Sequence, residues 1–222
     1  MDRTREFYGR WARLYDLLAA VPGLRSWRER AVAALALDAG DTVVEMGAGT
    51  GANVGHLRER VRPGGRVVGI DLTRAMLRRA REHADRTGPE VSYLQGDATE
   101  PPVREADAVL GTFVAGIFPE AGAVVERWCD LVGPGGRVAL LNFQRSDRAL
   151  AAPLNLAFEG FVRLSAPGGR LSRTSQAAAF EDRVGAAREA LTRRTVDRRF
   201  ESFAGGYLGV LSGRVARRRV QR

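Results

Sequence analysis

Lysine is absent from the 222 residues, so all 35 basic side chains are arginine. That removes Schiff-base chemistry and a Walker-type phosphate lysine. Cysteine occurs once, as Cys129, which excludes an intrachain disulfide and a thiolate metal cluster. Histidine occurs twice, as His56 and His83, too few to build a metal site without carboxylates, and no metal is expected. Long apolar runs are also missing. The longest uncharged run near the middle, Ala108 to Phe118, covers 11 residues, whereas a spanning helix needs about 20. Asp2, Arg3, Arg5, Glu6 and Arg10 leave no apolar signal core at the N-terminus. The expectation is a cytoplasmic protein whose Cys129 stays reduced.

What is present has the profile of a folded chain, at 45% hydrophobic and 27% charged. The length suits one α/β domain. Acidic residues are outnumbered, giving a net charge of +9. That balance favours anionic neighbours, whether nucleic acid, acidic lipid or an anionic substrate, without choosing among them. Arg214, Arg217, Arg218, Arg219 and Arg222 fall within the last nine residues. Such a run at a chain end is ordinarily solvated, and peripheral contact with an anionic membrane is the functional alternative.

From residue 41 to about 143, short apolar runs alternate with amphipathic stretches, the pattern of βαβ units on a parallel sheet. Strands are predicted at Thr42–Met46, Arg66–Asp71, Val91–Leu94, Ala106–Phe113 and Arg137–Phe143. The helices between them start from Val54, Leu57 and Val61 at i, i+3, i+7, from Thr73 as a cap for a helix through about Arg86, and from Ala121 to Val132. Glycine-proline clusters at 62–65, 88–89 and 133–136 punctuate the pattern. Before it, residues 4–20 carry Phe7, Tyr8, Trp11, Leu14, Tyr15 and Leu18 on one helical stripe. After it, residues 144–173 form an irregular, Phe/Leu-bearing connection expected to act as a lid or substrate wall. A helix through Phe180, Val184, Ala187 and Leu191 follows, then strands Thr195–Phe203 and Tyr207–Leu211 joined by a hairpin-like turn. The expected organisation is a single domain over 1–222: a helical cap at 1–40, a core at 41–143, the lid at 144–173, and a C-terminal helix and terminal strands at 174–222. Its fold class is α/β, a Rossmann-like, doubly wound, mostly parallel seven-stranded sheet with an antiparallel C-terminal strand.

The chemistry concentrates at Glu45-Met46-Gly47-Ala48-Gly49-Thr50-Gly51, between the first strand and its helix. Glycines there let the chain turn sharply and let a ligand touch the backbone. A helix N-terminus beyond them favours phosphate or carboxylate. Gly47, Gly49 and Ala52 also satisfy the fingerprint of dinucleotide enzymes, so the glycines alone leave both ligands open. Three acids bear on the choice. Glu45 ends strand one, where it would repel a pyrophosphate and attract an ammonium. Asp71 ends strand two, 20 residues beyond Gly51, where ribose hydroxyls are held. Asp97 follows strand three in Gln95-Gly96-Asp97-Ala98 and can accept from an adenine amino group. A ligand with an ammonium, a ribose and an adenine is S-adenosylmethionine more readily than NAD.

The order VVEMGAGTG, VVGID, QGDA, DAVLGTF, GPGGRVALLNF resembles class I S-adenosylmethionine-dependent methyltransferases. Arg10-Trp11-Ala12-Arg13-Leu14-Tyr15-Asp16, Trp27-Arg28, Met76-Leu77 and Ala80-Arg81 are similar to the ubiquinone/menaquinone biosynthesis enzymes, and the Tyr15-Asp16 region also to bacterial phospholipid N-methyltransferases. The resemblance covers roughly residues 7–143. It implies that Glu45, Gly47, Gly49, Thr50 and Gly51 surround the methionine moiety. Asp71 would bind ribose, Leu72 would lie against the adenine, and Asp97 and Ala98 would hold its edge. Thr112 would sit beside the sulfonium, and Tyr15 would close the pocket as the candidate catalytic residue. The chain departs from the quinone enzymes at Val114-Ala115-Gly116, where they carry an Arg-Asn pair, and at Asn142, where they carry glutamate. Neither departure touches the cofactor half.

The expected function is methyl transfer to a small apolar or amphiphilic acceptor of quinone, lipid or metabolite type. The donor is already activated, so the protein's task is alignment and water exclusion. Two alternatives have different signatures. A nucleic-acid-binding protein on the same fold would show affinity that falls steeply with salt, and a nicotinamide oxidoreductase would bind NADH. Nucleic acid is the less expected partner, because the aromatics read as core.

Overall fold

In the computed structural model, residues 24–83, 88, 90–144 and 173–217 are described. The elements are α1 Leu24–Ala33, β1 Thr42–Met46, α2 Val54–Val61, β2 Arg66–Asp71, α3 Arg74–Arg81, β3 Val91–Gln95, β4 Ala108–Thr112, α4 Ala121–Val132, β5 Arg137–Phe143, α5 Arg173–Arg194, β6 Thr195–Phe203 and β7 Leu208–Val215. Single 3₁₀ turns lie at Ala115–Ile117 and Ala204–Gly206. The predicted stripe at 4–20, nearly all of the connection at 144–173, and Tyr15 lie outside the described residues.

The seven strands form one sheet in the order β3-β2-β1-β4-β5-β7-β6. Strands β1 to β5 pair in parallel. β7 runs antiparallel to both β5 and β6, so it alone points the other way. The expected fold class is the observed one. Order reverses between β1 and β4, the switch point at which α/β sheets open a ligand crevice beyond their strand ends.

The central strands are nearly continuous apolar runs because helices cover both faces. β4, Ala-Val-Leu-Gly-Thr, is buried throughout. Alternation sends Val44, Met46, Val109, Val138 and Leu140 to one face, against Trp128 and Cys129 of α4 and Ala187 and Leu191 of α5. Val43, Val67, Ala108, Leu110 and Leu141 go to the other, against Val32 of α1 and Val54, Leu57 and Val61 of α2. Burying each such aliphatic side chain contributes about 1.5–3 kcal/mol. Of the edge strands, β6 is largely exposed and β3 has half-buried and exposed positions.

Four local expectations change. Strand four ends at Thr112, because Phe113 leaves the β region with φ +60°. Thr73 does not cap α3 with its side chain. It turns instead to Asp71, whose Oδ1 accepts the Thr73 N–H at 2.7 Å. α3 ends at Arg81, short of Arg86. β7 extends to Val215, so Arg214 belongs to a strand and its guanidinium pairs with Asp197 at 2.6 Å.

Candidate active site

A cleft opens at the C-terminal ends of the parallel strands. It is lined from the loop after β1 (Gly47, Gly49, Thr50), from the end of β2 (Asp71, Leu72, Thr73) and from the loop after β3 (Asp97, Ala98). Phe113, Val114, Ile117 and Phe118 after β4, with Met76 of α3, complete it. Four successive strand ends therefore converge on one hollow.

The glycine loop is fitted to its place from both sides. Gly47 and Gly49 have φ of +71° and +54°, a region costly for residues with a Cβ. A Cβ on Gly47 would also collide with Val114. Around the Cβ position of Gly49 nothing lies within 4 Å, so the backbone is open to whatever enters the cleft. The Ala48 N–H donates to the Ile70 carbonyl at 2.8 Å and ties the loop to β2.

Asp71 organises this corner. Its Oδ2 accepts the Gly49 N–H at 2.8 Å, and its Oδ1 accepts the Thr73 N–H. Burial nevertheless outweighs these bonds and raises its pKa above the ordinary aspartate value. The carboxylate is thus short of solvation and gains from further donors, as two ribose hydroxyls would supply. The Gly96 N–H donates to the Asp71 carbonyl at 3.1 Å, so the ends of β2 and β3 are coupled.

Asp97 closes an Asx turn, its Oδ1 accepting the Thr99 N–H at 2.8 Å. The neighbouring Ala98 carbonyl accepts the buried Trp128 Nε1–H at 2.8 Å. Trp128 in turn meets the edge of Phe118 at 5.9 Å and 88°. One side chain of α4 therefore braces two cleft-lining positions. Past β4, the Phe113 N–H donates to the Leu141 carbonyl at 2.7 Å, and its ring stacks on Phe143 with centroids 4.5 Å apart. Those contacts hold Phe113 in its left-handed conformation at the cleft wall, a state that costs about 1–3 kcal/mol.

Of the residues singled out in the sequence, Asp71, Asp97, Gly47, Gly49, Thr50, Leu72 and Ala98 line this cleft. Glu45, Gly51 and Thr112 do not line the cleft. Alternation turns Glu45 and Thr112 to the face covered by α2, with Glu45 only 1% exposed. There Asn53 donates from Nδ2 to Glu45 Oε1 at 2.5 Å and to Thr112 Oγ1 at 3.0 Å. Glu45, expected from the sequence to meet an ammonium, is therefore buried beneath the glycine loop with Asn53 on its Oε1. Neither His56 nor His83 is in the lining, and Cys129 is buried in α4 with its thiol pushed up to about 12 by burial.

Sequence reading missed Asn53, Thr73, Met76, Phe113, Val114, Ile117 and Phe118. An Asn at the start of the crossover helix and the apolar run after strand four were the available signals. Among the described residues, no group of three His, Cys, Asp or Glu side chains is arranged to hold a metal. No described helix is long and apolar enough to cross a membrane.

Residues 43–136 match the methyltransferase domain family. A phosphatidylethanolamine N-methyltransferase from Cereibacter sphaeroides is 31% identical over 165 residues, covering 72% of this chain and 78% of that protein. Nocamycin O-methyltransferase from Saccharothrix syringae is 39% identical over 104 residues, 46% of this chain; the chain spans 37% of that relative's length. Among solved structures, a putative methyltransferase in complex with the Haloferax volcanii Trm112 activator superposes with a TM-score of 0.69 at 18% identity, over 98% of this chain and 99% of that one. This last likeness is one of fold.

Proposed function

The chain belongs to the S-adenosylmethionine-dependent methyltransferase family, and on that premise we propose that it methylates a small apolar or amphiphilic acceptor. The observation that carries the reading is the Asp71 corner: a desolvated carboxylate on the glycine loop, one strand from Asp97, at the rim of a single cleft. The residues fit the cofactor, since the open backbone at Gly49 leaves room for it and the acids match its hydroxyl and amino donors. When bound, S-adenosylmethionine supplies a methyl group on a sulfonium.

This chain's residues then bind and orient. In this reading Asp71 receives the ribose hydroxyls, Leu72 flanks the adenine, and Asp97 with Ala98 receives its edge. The Gly47–Thr50 backbone carries the methionine end. Glu45 and Thr112 act from beneath, through Asn53, by fixing the loop. Phe113, Val114 and Ile117 form an apolar wall that keeps water from the reacting centre. No described residue is assigned as general base. The relative named for phosphatidylethanolamine supports an amphiphilic acceptor. Peripheral contact with an anionic surface falls to the arginines beyond Arg214, which is already paired.

Two measurements test this. Isothermal titration should show the wild type binding S-adenosylmethionine or S-adenosylhomocysteine at micromolar affinity. Release of S-adenosylhomocysteine should then rise with phosphatidylethanolamine vesicles or with a naphthohydroquinone. No cofactor binding sinks the reading; binding with turnover only on RNA replaces the acceptor class.

A further inference from the structure

Asn142 is 1% exposed, yet neither its Nδ2 nor its Oδ1 has a hydrogen-bond partner among the described residues. A buried carboxamide with both ends unmet costs several kcal/mol unless something meets them. Such groups are rare and call for an explanation. Asn142 follows Val138 and Leu140 in alternation, so its side chain lies on the sheet face that α5 covers.

A second unmet group stands beside it. In the β5–β7 register Asn142 is opposite Gly209. Facing Cβ positions in such a pair are about 4.5–5.5 Å apart. A Cβ on Gly209 would come within 2.5 Å of both Arg188 Nη2, from α5, and Gln144 Oε1. Glycine at 209 thus leaves the space into which Arg188 reaches. Arg188 donates from Nη2 to Gln144 Oε1 at 2.7 Å and lies over the Phe200 ring at 5.5 Å. Its Nε is buried without an acceptor, and no carboxylate pairs with it among the described residues. Gln144 is committed elsewhere, donating from Nε2 to the Gly206 carbonyl at 2.8 Å. Burial accordingly lowers the Arg188 pKa. A desolvated guanidinium without a counter-charge invites an anion, and its fork suits an oxyanion.

Asn142 lies near the C-terminal end of β5, at the end of the sheet where the cleft opens. Leu141 and Phe143 flank Asn142, and both hold Phe113 at the cleft wall. Phe180, on the same helix as Arg188, abuts Gly116 of the turn that contributes Ile117 to the lining.

We propose that Arg188 and Asn142 form the acceptor's anchoring subsite, taking an anionic oxygen group of the acceptor molecule: Arg188 as the charge, Asn142 as a donor through its Nδ2. This rests on the methyltransferase reading and narrows it to acceptors that carry a phosphate or a carboxylate. Both would be specificity residues; neither would touch the transferred methyl.

The test uses the full chain saturated with S-adenosylhomocysteine and, in parallel, 10 mM benzoate, phenyl phosphate or neutral benzamide. For a probe of roughly millimolar affinity, the binding linkage raises Tm by about 2–5 °C. Benzoate or phenyl phosphate should do so and benzamide should not; the stronger of the two anions distinguishes carboxylate from phosphate acceptors. Arg188→Met should abolish the shift while S-adenosylhomocysteine affinity stays within threefold of wild type. Asn142→Asp gives a fold-independent check: its carboxylate supplies the missing counter-charge, so Tm without probe should rise and the probe shift should vanish. Equal shifts with benzamide, no shift with either anion, or a shift retained in Arg188→Met overturns the proposal. A wild type that binds benzoate but not S-adenosylhomocysteine refutes the methyltransferase reading instead.

Discussion

Replacing Asp71 with asparagine changes charge and little else in shape. The carboxylate accepts two backbone N–H groups, from Gly49 at 2.8 Å and Thr73 at 2.7 Å, one on each oxygen. Asparagine offers one acceptor and turns an NH₂ group towards the other N–H. Leaving that N–H unmet costs the fold about 1–3 kcal/mol. For the cofactor the loss is larger. Two hydroxyl donors to a carboxylate contribute about 1.5–3 kcal/mol each, so their combined weakening corresponds to roughly 10²–10⁴ in affinity. Acidity supplies a second signature. Burial raises the Asp71 pKa in the folded protein above its unfolded value. The group therefore adds stability below the unfolded value that is lost as pH rises through the folded one, and the ionised form is the strained form. Ligand binding wants that ionised form. Wild-type affinity for S-adenosylhomocysteine should fall on acidification from a pH above the ordinary aspartate range, about tenfold per unit below the raised pKa. Asp71→Asn should show no such limb. Isothermal titration between pH 4 and 8 reads both effects. Affinity within threefold of wild type, or an acid limb that persists in the variant, would refute the assignment of Asp71.

Asn53→Ala removes both bonds that hold Glu45 and Thr112; urea unfolding should show a loss of about 1–3 kcal/mol, with weaker cofactor binding through a loosened glycine loop. Trp128→Phe keeps most of the packing but leaves the Ala98 carbonyl without its indole donor. It should cost about 1–3 kcal/mol in denaturation, and a fully retained stability would contradict the bracing role. The Cys129 thiol, pushed up to about 12 by burial, should resist iodoacetamide in the native protein at pH 8 and react on unfolding; rapid native-state labelling, followed by mass spectrometry, would contradict its burial.

Several elements were legible because their signal is local. β1, β2, β5 and β6 occupy the predicted residues, since apolar runs between glycine or proline breaks have few other solutions. Asp71 and Asp97 were legible as cleft residues for a topological reason: whatever follows a parallel strand lies at the edge where the crevice opens. For Glu45, position along a strand says only which end a residue occupies. Which face it takes depends on the pleat and on the helix packed above, and here α2 brings Asn53 to it. β7 was read too short, because Ser212, Gly213 and Arg214 look like a chain end until β5 and β6 pair with them.

By itself the sequence determined the strand–glycine–helix unit, the order of the crossovers and the acids at two strand ends, because backbone conformation and hydrophobic period act over neighbouring residues. Only the tertiary structure decided what meets what. It put Glu45 under the loop, turned Phe113 into a left-handed wall held by β5, and set Arg188 of α5 beside Asn142 across a glycine. Those residues are far apart along the chain, and their energies come from burial and from hydrogen bonds made or left unmade, which no local pattern encodes.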